Sequence, residues 1–245
     1  MKNTTLFDEL NQFSGSVFRE YYKQYLYIHC RDLLEIMFPG ELKRDITGVF
    51  AYCYIDKDEG ISFRPTSLAA LTDYSILTSP LPHKEDTIYI LRLRTANEKM
   101  NELHQNGRHM YLYALDPNKS SFLNSDIIHV PEEHYADLKR SVDKTYDAGL
   151  DVEELRSKEF SFLDPFRHEI YPDDVRALLY TKENGIEEVW VRLIFANGKE
   201  LFGSLLNEPY KDYGCHEGTV IGLVMGHYGE EEVLVFNGRT ASFVN

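Results

Sequence analysis

The chain has 245 residues, 43% of them hydrophobic, which is enough to bury a substantial core in one large domain or two small ones. Its 40 acidic and 26 basic residues give a net charge of −14, and such a field repels phosphate backbones and anionic lipid surfaces. We therefore expect neither a nucleic acid nor a membrane as a partner.

The sequence shows neither the apolar run of a membrane-spanning helix nor the pattern of a signal peptide. No run reaches the roughly 18 apolar residues of a membrane-spanning helix, and the first residues, MKNTTLFDELNQF, carry acids where a signal peptide has an apolar core. We expect a cytoplasmic protein.

Because Cys30, Cys53 and Cys215 are scattered and include no CxxC pair, we also expect reduced buried thiols, no disulfide, no metal and no cofactor.

The first predicted element is a helix. In Val17–Phe38, hydrophobic residues recur mostly at three- and four-residue spacing, and Pro39-Gly40 would end the helix. Gly48–Ile55 has the composition of a strand, and Ile61–Phe63 can return as its partner after a turn at residues 56–60.

A second group of elements follows. Ile88–Leu93 predicts a strand, and the capping box Thr95-x-x-Glu98 predicts a short helix that stops at Asn106-Gly107. His109–Leu115 predicts another strand. This succession favours a mixed α+β N-terminal domain.

The middle of the chain is acidic. Pro131 and the acids after it predict a helix over residues 131–147, and Asp151–Glu159 predicts another helical stretch. Asp164-Pro165 and Tyr171-Pro172 are breaks, and we place a domain boundary near Tyr171. The prediction is an α+β domain over residues 1–171, including this acidic helical connection, and a small antiparallel β-domain over residues 172–245.

The clearest signals lie in the last quarter of the chain. Asn184-Gly185 and Asn197-Gly198 separate alternating apolar runs, which is typical of two-residue type I′ hairpin turns with positive φ at both central residues. Val175–Leu206 therefore predicts a three-stranded antiparallel meander. Thr219–Met225 and Val233–Phe236 predict two further strands.

These five strands predict a β-barrel-like domain. Apolar residues occupy both faces of the strand around Trp190, as in a sheet curled over its own core. Gly203 and Gly222 interrupt strand patterns and would mark bulges or corners. The predicted class is α+β, a mixed N-terminal domain followed by a small five-stranded antiparallel barrel-like domain.

The same strands carry a pattern that resembles a known family. The pattern comprises Trp190-Val191, Gly198, Phe202-Gly203-x-Leu205-x-Asn207-x-Pro209 and His216-Glu217-Gly218-Thr219-Val220. It is similar to a bacterial domain of unknown function in which a tryptophan-bearing strand precedes such an element and a glycine-led strand. Some relatives are suspected immunity proteins of bacterial toxin systems. The resemblance implies no catalytic residue and does not extend to residues 1–170, and Thr219 stands where the family tends to have an aspartate.

Candidate catalytic and metal-binding groups are sparse. His129 and His134 enclose two glutamates but lie five residues apart, whereas the HExxH zinc motif needs histidines four apart on one helical face. Cys215 and His216 are adjacent in an extended segment, so we expect a packed thiol beside a solvent-facing imidazole. We assign no catalytic residue and no metal ligand.

Charged residues gather near the predicted boundary, in Asp164–Glu169 and at Asp173 and Asp174. Domain junctions are common ligand sites. Solvated linker charges explain the cluster more simply, and we interpret it in that way.

The charge and the C-terminal pattern favour a non-enzymatic, acidic protein-binding protein of bacterial type, with an antitoxin (immunity) protein as the narrower hypothesis. The loop Asn207–Gly218 is long beside the two-residue turns predicted in the same domain, and long loops often carry function. We expect it to contact a basic protein partner through five side chains that combine acids with tyrosines: Glu208, Tyr210, Asp212, Tyr213 and Glu217.

Two other classes stay open. A small-molecule hydrolase or transferase can be assembled from dispersed His, Asp and Glu residues that meet only in the fold. A structural module whose β-domain forms homodimers is the third class. A pocket lined by histidines and carboxylates would favour the hydrolase, and a large apolar two-fold contact would favour the module. For the loop itself, the alternative is a solvated segment in which Pro209 and Gly214 merely set the turns.

Overall fold

The computed structural model describes residues 5–12, 15–82, 87–94, 102–115, 121–124 and 130–241. The chain divides into two compact units, Met1–Asp147 and Ala148–Asn245. Both consist mainly of strands with short helices, so the expected α+β class is confirmed.

The first unit is built on one sheet. Helix α1 spans Arg31–Met37 and α2 spans Ala136–Thr145, and 3-10 helices cover Leu6–Glu9, Gly15–Glu20 and Glu132–His134. Its strands are β1 (Asn11–Gln12), β2 (Tyr25–His29), β3 (Gly48–Asp56), β4 (Gly60–Leu71), β5 (Ile76–Pro80), β6 (Ile88–Leu93), β7 (Glu102–Asn106), β8 (His109–Leu115) and β9 (Ser121–Asn124).

In the described part of this unit, eight of the nine strands follow the order β1-β9-β2-β3-β4-β6-β8-β7, and the ninth, β5, pairs with the second half of β4. Neighbouring strands are antiparallel except β6 and β8, which are parallel. On one face, the Tyr21 ring lies 6.5 Å from Phe63 and 5.7 Å from Phe122. On the other, α2 packs through Val142, and the Tyr52 hydroxyl donates to Asp143 Oδ1 at 2.8 Å.

The predicted helix over Val17–Phe38 is wrong. A 3-10 helix covers Gly15–Glu20, β2 covers Tyr25–His29 and only α1 is α-helical. Tyr25, Leu26, Tyr27 and Ile28 are consecutive buried residues, and burial of both faces suits a strand inside a sheet rather than a helix with one polar face. Lys23, at φ 58°, turns the chain just before β2.

The predicted helix from Thr95 to Asn106 is also wrong where it can be compared. Residues 95–101 lie outside the described residues, and Glu102–Asn106 is β7, paired antiparallel with β8. Asn106-Gly107 stands at a hairpin turn, with Gly107 at φ 57°, and not at the end of a helix. The predicted strands Gly48–Ile55, Ile88–Leu93 and His109–Leu115 are confirmed as β3, β6 and β8.

The second unit is described from Ala148 to Ala241. Helix α3 spans Leu150–Leu155 and a 3-10 helix spans Lys158–Phe166. The strands are β10 (Asp174–Thr181), β11 (Gly185–Asn197), β12 (Glu200–Leu205), β13 (Val220–Tyr228) and β14 (Glu231–Ala241). Consecutive strands pair antiparallel, which confirms the five-stranded sheet. β14 then meets β10 in parallel at Val235 and Leu178, and this contact closes the strand order into a barrel.

The two Asn-Gly pairs form hairpins, but not of the predicted turn type. Thr181 pairs with Gly185, so the first loop has three residues, and Asn197 pairs with Glu200, so the second is centred on Gly198-Lys199. Gly185 and Gly198 have φ of 75° and 62°, whereas Lys23 is the one non-glycine residue with positive φ among those the structure describes. A type I′ turn needs positive φ at both central residues, so neither hairpin has that turn.

The predicted irregularities at Gly203 and Gly222 are present. Gly203 stands opposite a register shift at Ile194, and a Cβ on Gly203 would lie 2.6 Å from the carbonyl oxygen of Arg192. Gly222 stands at the register shift between β13 and β14, where a Cβ would lie 2.8 Å from Asn237 Oδ1. At Gly203 the close group is backbone, so only glycine allows the strands to approach this closely, whereas at Gly222 the close atoms are the ends of the Asn237 and Glu200 side chains.

The second unit begins before the boundary expected near Tyr171. Leu155, Leu163 and Phe166 belong to the barrel's hydrophobic core, so the segment that precedes β10 is part of this unit. Burial of these apolar side chains holds the segment against the barrel.

The charges of this segment are not the solvated linker charges that we expected. Arg156 is 4% exposed and donates to both oxygens of Asp173, at 2.9 and 2.6 Å. Arg167 is 8% exposed and donates to the carbonyls of Leu155 and Pro172. Buried guanidinium groups need such partners, because an ion without them loses its hydration uncompensated.

We predict that Asp173→Ala lowers the unfolding free energy of the second unit by about 2 kcal/mol or more, because buried Arg156 loses its bidentate carboxylate and keeps the Glu153 carboxylate at 3.0 Å. The measurement is urea unfolding followed by the fluorescence of Trp190, the one tryptophan of the chain. The control is Glu188→Ala, since Glu188 and its partner Arg176 are 54% and 50% exposed and their pair contributes about 1 kcal/mol or less. Equal losses in the two variants would contradict the prediction.

Candidate functional site

The loop Asn207–Gly218 joins β12 to β13. Its two ends are tied together, because Gly218 N donates to the Leu205 carbonyl at 2.8 Å and Leu205 N donates to the Thr219 carbonyl at 2.9 Å. The side chain of Asn207 accepts a hydrogen bond from Trp190 N at 2.8 Å. The loop thus starts and ends at fixed points of the barrel.

Part of the loop is core. Tyr213 is 6% exposed and Cys215 is 2% exposed, and both belong to the barrel's hydrophobic cluster. Tyr213 was predicted to contact a partner, and the structure contradicts this, because its ring is buried among core side chains. Burial raises the pKa of the Tyr213 hydroxyl, and the charge of Glu187 raises it further.

The neighbouring hairpin between β10 and β11 holds the middle of the loop. Tyr210 N donates to Glu187 Oε1 at 2.7 Å, and Lys211 Nζ donates to the Asn184 carbonyl at 2.7 Å. The side-chain amide of Asn184 donates to the carbonyl of Asp212. These bonds fix the backbone on both sides of Tyr210, whose side chain is 96% exposed.

A carboxylate organises the far end of the loop. Glu208 Oε1 lies 2.8 Å from His216 Nδ1, and Glu208 Oε2 accepts from Glu217 N at 2.9 Å. The hydrogen bond from Glu217 N and the His216 side chain lower the pKa of Glu208. The Glu208 carboxylate in turn raises the pKa of His216.

The structure exposes four of the five predicted contact residues on one loop. Glu208, Tyr210, Asp212 and Glu217 are exposed, and only Tyr213 is not. Along the chain, the acids flank Tyr210 together with one lysine, Lys211, and with His216. The second unit as a whole has 18 acidic and 9 basic residues, hence a charge of −9.

Two residues that fix the loop, Asn184 and Glu187, were missed in the sequence. Neither lies in the loop, and their types are common on exposed hairpins. A signal was nevertheless present, because in an antiparallel meander the connections β10–β11 and β12–β13 lie at the same end of the sheet. The residues of one connection can therefore hydrogen-bond with those of the other.

The other candidate groups are dispersed. Cys215 is buried beside His216, whose side chain is 73% exposed, as expected. His134 is exposed next to Glu133, and His129 lies outside the described residues. In the part of the chain that the structure describes, no group of three or more His, Cys, Asp or Glu side chains is placed to hold a metal ion.

A groove in the first unit bears on the hydrolase alternative. Its lining includes hydroxyl groups and aromatic rings, among them those of Tyr25, Thr66, Ser67 and Tyr74, with His134 at one side. This lining differs from the cluster of histidines and carboxylates that the hydrolase alternative calls for.

Comparisons with models of protein families, with curated proteins and with solved structures gave no match. Among the described residues, none of the helices has the length and apolar character needed to cross a membrane.

We predict that His216 titrates above its ordinary pKa of 6.5 and that Glu208→Gln brings the value back towards it, because the carboxylate stabilises the charged imidazole. The contact between Glu208 and His216 is therefore strongest at pH values above the lowered pKa of Glu208 and below the raised pKa of His216. It weakens as pH rises through the pKa of His216, which then loses its charge, and as pH falls through the pKa of Glu208, which is then protonated. Histidine NMR titration of the full chain measures this. Glu231→Gln, at an exposed carboxylate outside the loop, is the control and should leave His216 unchanged.

We predict that all three cysteines react with a thiol reagent after denaturation and react slowly in the native protein. Cys30, Cys53 and Cys215 are buried free thiols. Burial raises the pKa of Cys30 to about 12 and that of Cys53 well above its usual range, so little reactive thiolate forms at neutral pH. Fewer than three thiols after denaturation, or zinc retained at one ion per chain through dialysis, would contradict the expectation of reduced cysteines without a metal.

Proposed function

We propose that this chain is a non-enzymatic protein-binding protein whose second unit contacts a basic partner protein through the loop Asn207–Gly218. The observation that carries the proposal is Tyr210, 96% exposed on a backbone fixed by Glu187 and Asn184. Tyrosine combines a large contact area with a polar tip and is enriched at interface hot spots. A merely solvated loop could expose this ring without the hydrogen bonds of Asn184 and Glu187 to its backbone.

Preorganisation supports this proposal. The hydrogen bonds of Asn207, Glu208 and Lys211 fix the loop before any partner arrives. Ordering a mobile loop opposes association, so a loop already held in place loses little conformational freedom on binding. The closed barrel supplies the rigid base from which the loop projects.

Charge supports the kind of partner. Glu208, Asp212 and Glu217 are exposed on the same loop as Tyr210, and the unit carries a net charge of −9 from 18 acids and 9 bases. An acidic rim accelerates encounter with a basic surface and disfavours acidic competitors. The partner is therefore a protein with a basic contact surface.

The narrower proposal is that the partner is a bacterial toxin and the chain its immunity protein. It rests on the resemblance of the C-terminal strands to a family with suspected immunity proteins. A toxin that acts on nucleic acid needs a basic surface for the phosphates, and such a surface complements this loop.

We expect Tyr210→Ala to weaken the complex by more than about 1 kcal/mol while leaving the fold unchanged, since the side chain is 96% exposed. The full chain and its variants are immobilised, retained proteins are compared by mass spectrometry, and the affinity of the purified partner is then titrated. The control is Tyr74→Ala, at a tyrosine of the first unit that is 73% exposed, which should retain the partner.

The charge contribution is tested with the same partner. Glu208→Gln and Asp212→Asn should slow association and flatten its dependence on salt, whereas Lys211→Gln, of opposite sign, should not slow it. Asp212→Asn keeps an acceptor oxygen for Gly214 N, and Glu208→Gln keeps one for Glu217 N while its amide nitrogen faces His216 Nδ1. A partner whose affinity ignores Tyr210→Ala and both acid variants would remove the loop from the interface.

A further inference from the structure

The wall of the barrel opens beside β10. β10 and β11 share eight ladder pairs, whereas β10 and β14 pair at one position, Leu178 and Val235. On one side of that pair the two strands diverge, and a groove of about 320 Å³ lies between Arg176–Leu178 of β10 and Glu231–Leu234 of β14.

The floor of this groove is apolar. Phe166, Ala177 and Leu234 line it, and they are 7%, 1% and 1% exposed members of the barrel core. Ile186 and Tyr228 also line the groove and are 44% and 61% exposed. A strand in this place would cover apolar surface that now faces water.

The rim of the groove is acidic. Glu188, Glu231 and Glu232 line it together with one arginine, Arg176, which lies 3.6 Å from Glu188 and offsets that charge. Glu231 and Glu232 are exposed. The rim therefore carries a net negative charge and favours a basic occupant.

A backbone edge faces the groove from the β14 side, because Glu231–Leu234 pairs with β13 on its other side. The corresponding edge of β10 is already in use, since Arg167 bridges Val175 and His168 N donates to the Asp174 carbonyl at 2.8 Å. The only ladder pair that the structure describes between β10 and β14 is the one at Leu178 and Val235. An added strand can hydrogen-bond to the edge of β14, which is the principle of β-strand addition.

We propose that this groove binds an extended segment of a partner protein in which basic and apolar residues alternate. Successive side chains of a strand point to opposite faces, so one set lies on the floor at Phe166 and Leu234 while the other reaches Glu231 and Glu232. Backbone hydrogen bonds to the edge of β14 hold the segment, and the two side-chain sets select it.

A second copy of this chain is a poor occupant. Two copies meeting through this groove in a two-fold contact would bring Glu231 and Glu232 of one next to those of the other, and each chain carries a charge of −14. Like charges in such a contact oppose association.

The groove is independent of the loop contact proposed above. None of the groove's lining residues belongs to Asn207–Gly218. Failure of the groove to bind would leave the loop proposal standing, and Tyr210→Ala is not expected to change binding in the groove.

The test uses the full chain labelled with ¹⁵N and an acetylated, amidated peptide of sequence Lys-Val-Lys-Val-Lys-Val. We expect saturable shifts in the backbone amides of Arg176–Leu178 and Glu231–Leu234, and none with Glu-Val-Glu-Val-Glu-Val. Two further peptides carry methyl groups on one or the other alternate set of nitrogens. The set that faces β14 supplies every donor on that edge of the peptide, so its methylation should lower the affinity by about tenfold or more, whereas methylation of the other set should not.

Charge reversal in the protein gives the matched comparison. Glu231→Lys with Glu232→Lys should weaken the basic peptide about tenfold, whereas Glu183→Lys, at an exposed residue outside the groove, should leave it unchanged. The proposal is overturned if the shifts are absent or lie elsewhere, or if both methylated peptides bind as well as the unmodified one. It is equally overturned if the same amides respond to protein concentration alone and sedimentation shows a dimer.

Discussion

An antiparallel meander of five strands that closes on itself must bring its first and last strands together in parallel, because the chain direction reverses at each of the four connections. Much of the second unit depends on this constraint. β10 and β14 meet through one ladder pair, which leaves the groove beside Arg176. The same alternation of direction places the β10–β11 and β12–β13 connections at one end, where Asn184 and Glu187 hold the loop around Tyr210.

Closure of the barrel alone would leave its core exposed beside β10. The segment before β10 covers the core there, and two buried arginines hold this segment in place. Arg156 binds Asp173 and Arg167 binds the carbonyl of Leu155, so the segment before β10 is fixed against the barrel. Phe166 thereby reaches the core and forms part of the groove floor. Such buried pairs contribute more to a defined arrangement than to net stability, because dehydration of the charges offsets much of their attraction.

The sequence predicted best where the signal is local. Apolar runs located all five strands of the second unit, and Gly203 and Gly222 located its bends. Both signals can be read from a few neighbouring residues, because the strand period is two residues and a glycine marks a place without a Cβ. It failed where tertiary placement decides. Tyr25–Ile28 has helix-like spacing but lies in a central strand, and Tyr213 sits in a polar stretch but fills the core. Four of the five predicted loop residues are exposed, yet their fixing by Asn184 and Glu187 requires the fold.

The distribution of charge links the loop and the groove. Both are rimmed by carboxylates, at Glu208 and Asp212 in one and at Glu231 and Glu232 in the other, while most basic side chains close to them are engaged. Lys211 donates to the Asn184 carbonyl, and Arg176 faces Glu188. Because engaged cations offset the neighbouring acids only locally, the long-range field of this unit stays negative. Attraction by that field does not distinguish one basic protein from another. Under the two proposals above, selection therefore depends on short-range features, the exposed Tyr210 ring on its fixed backbone and the strand edge of β14 beside the groove.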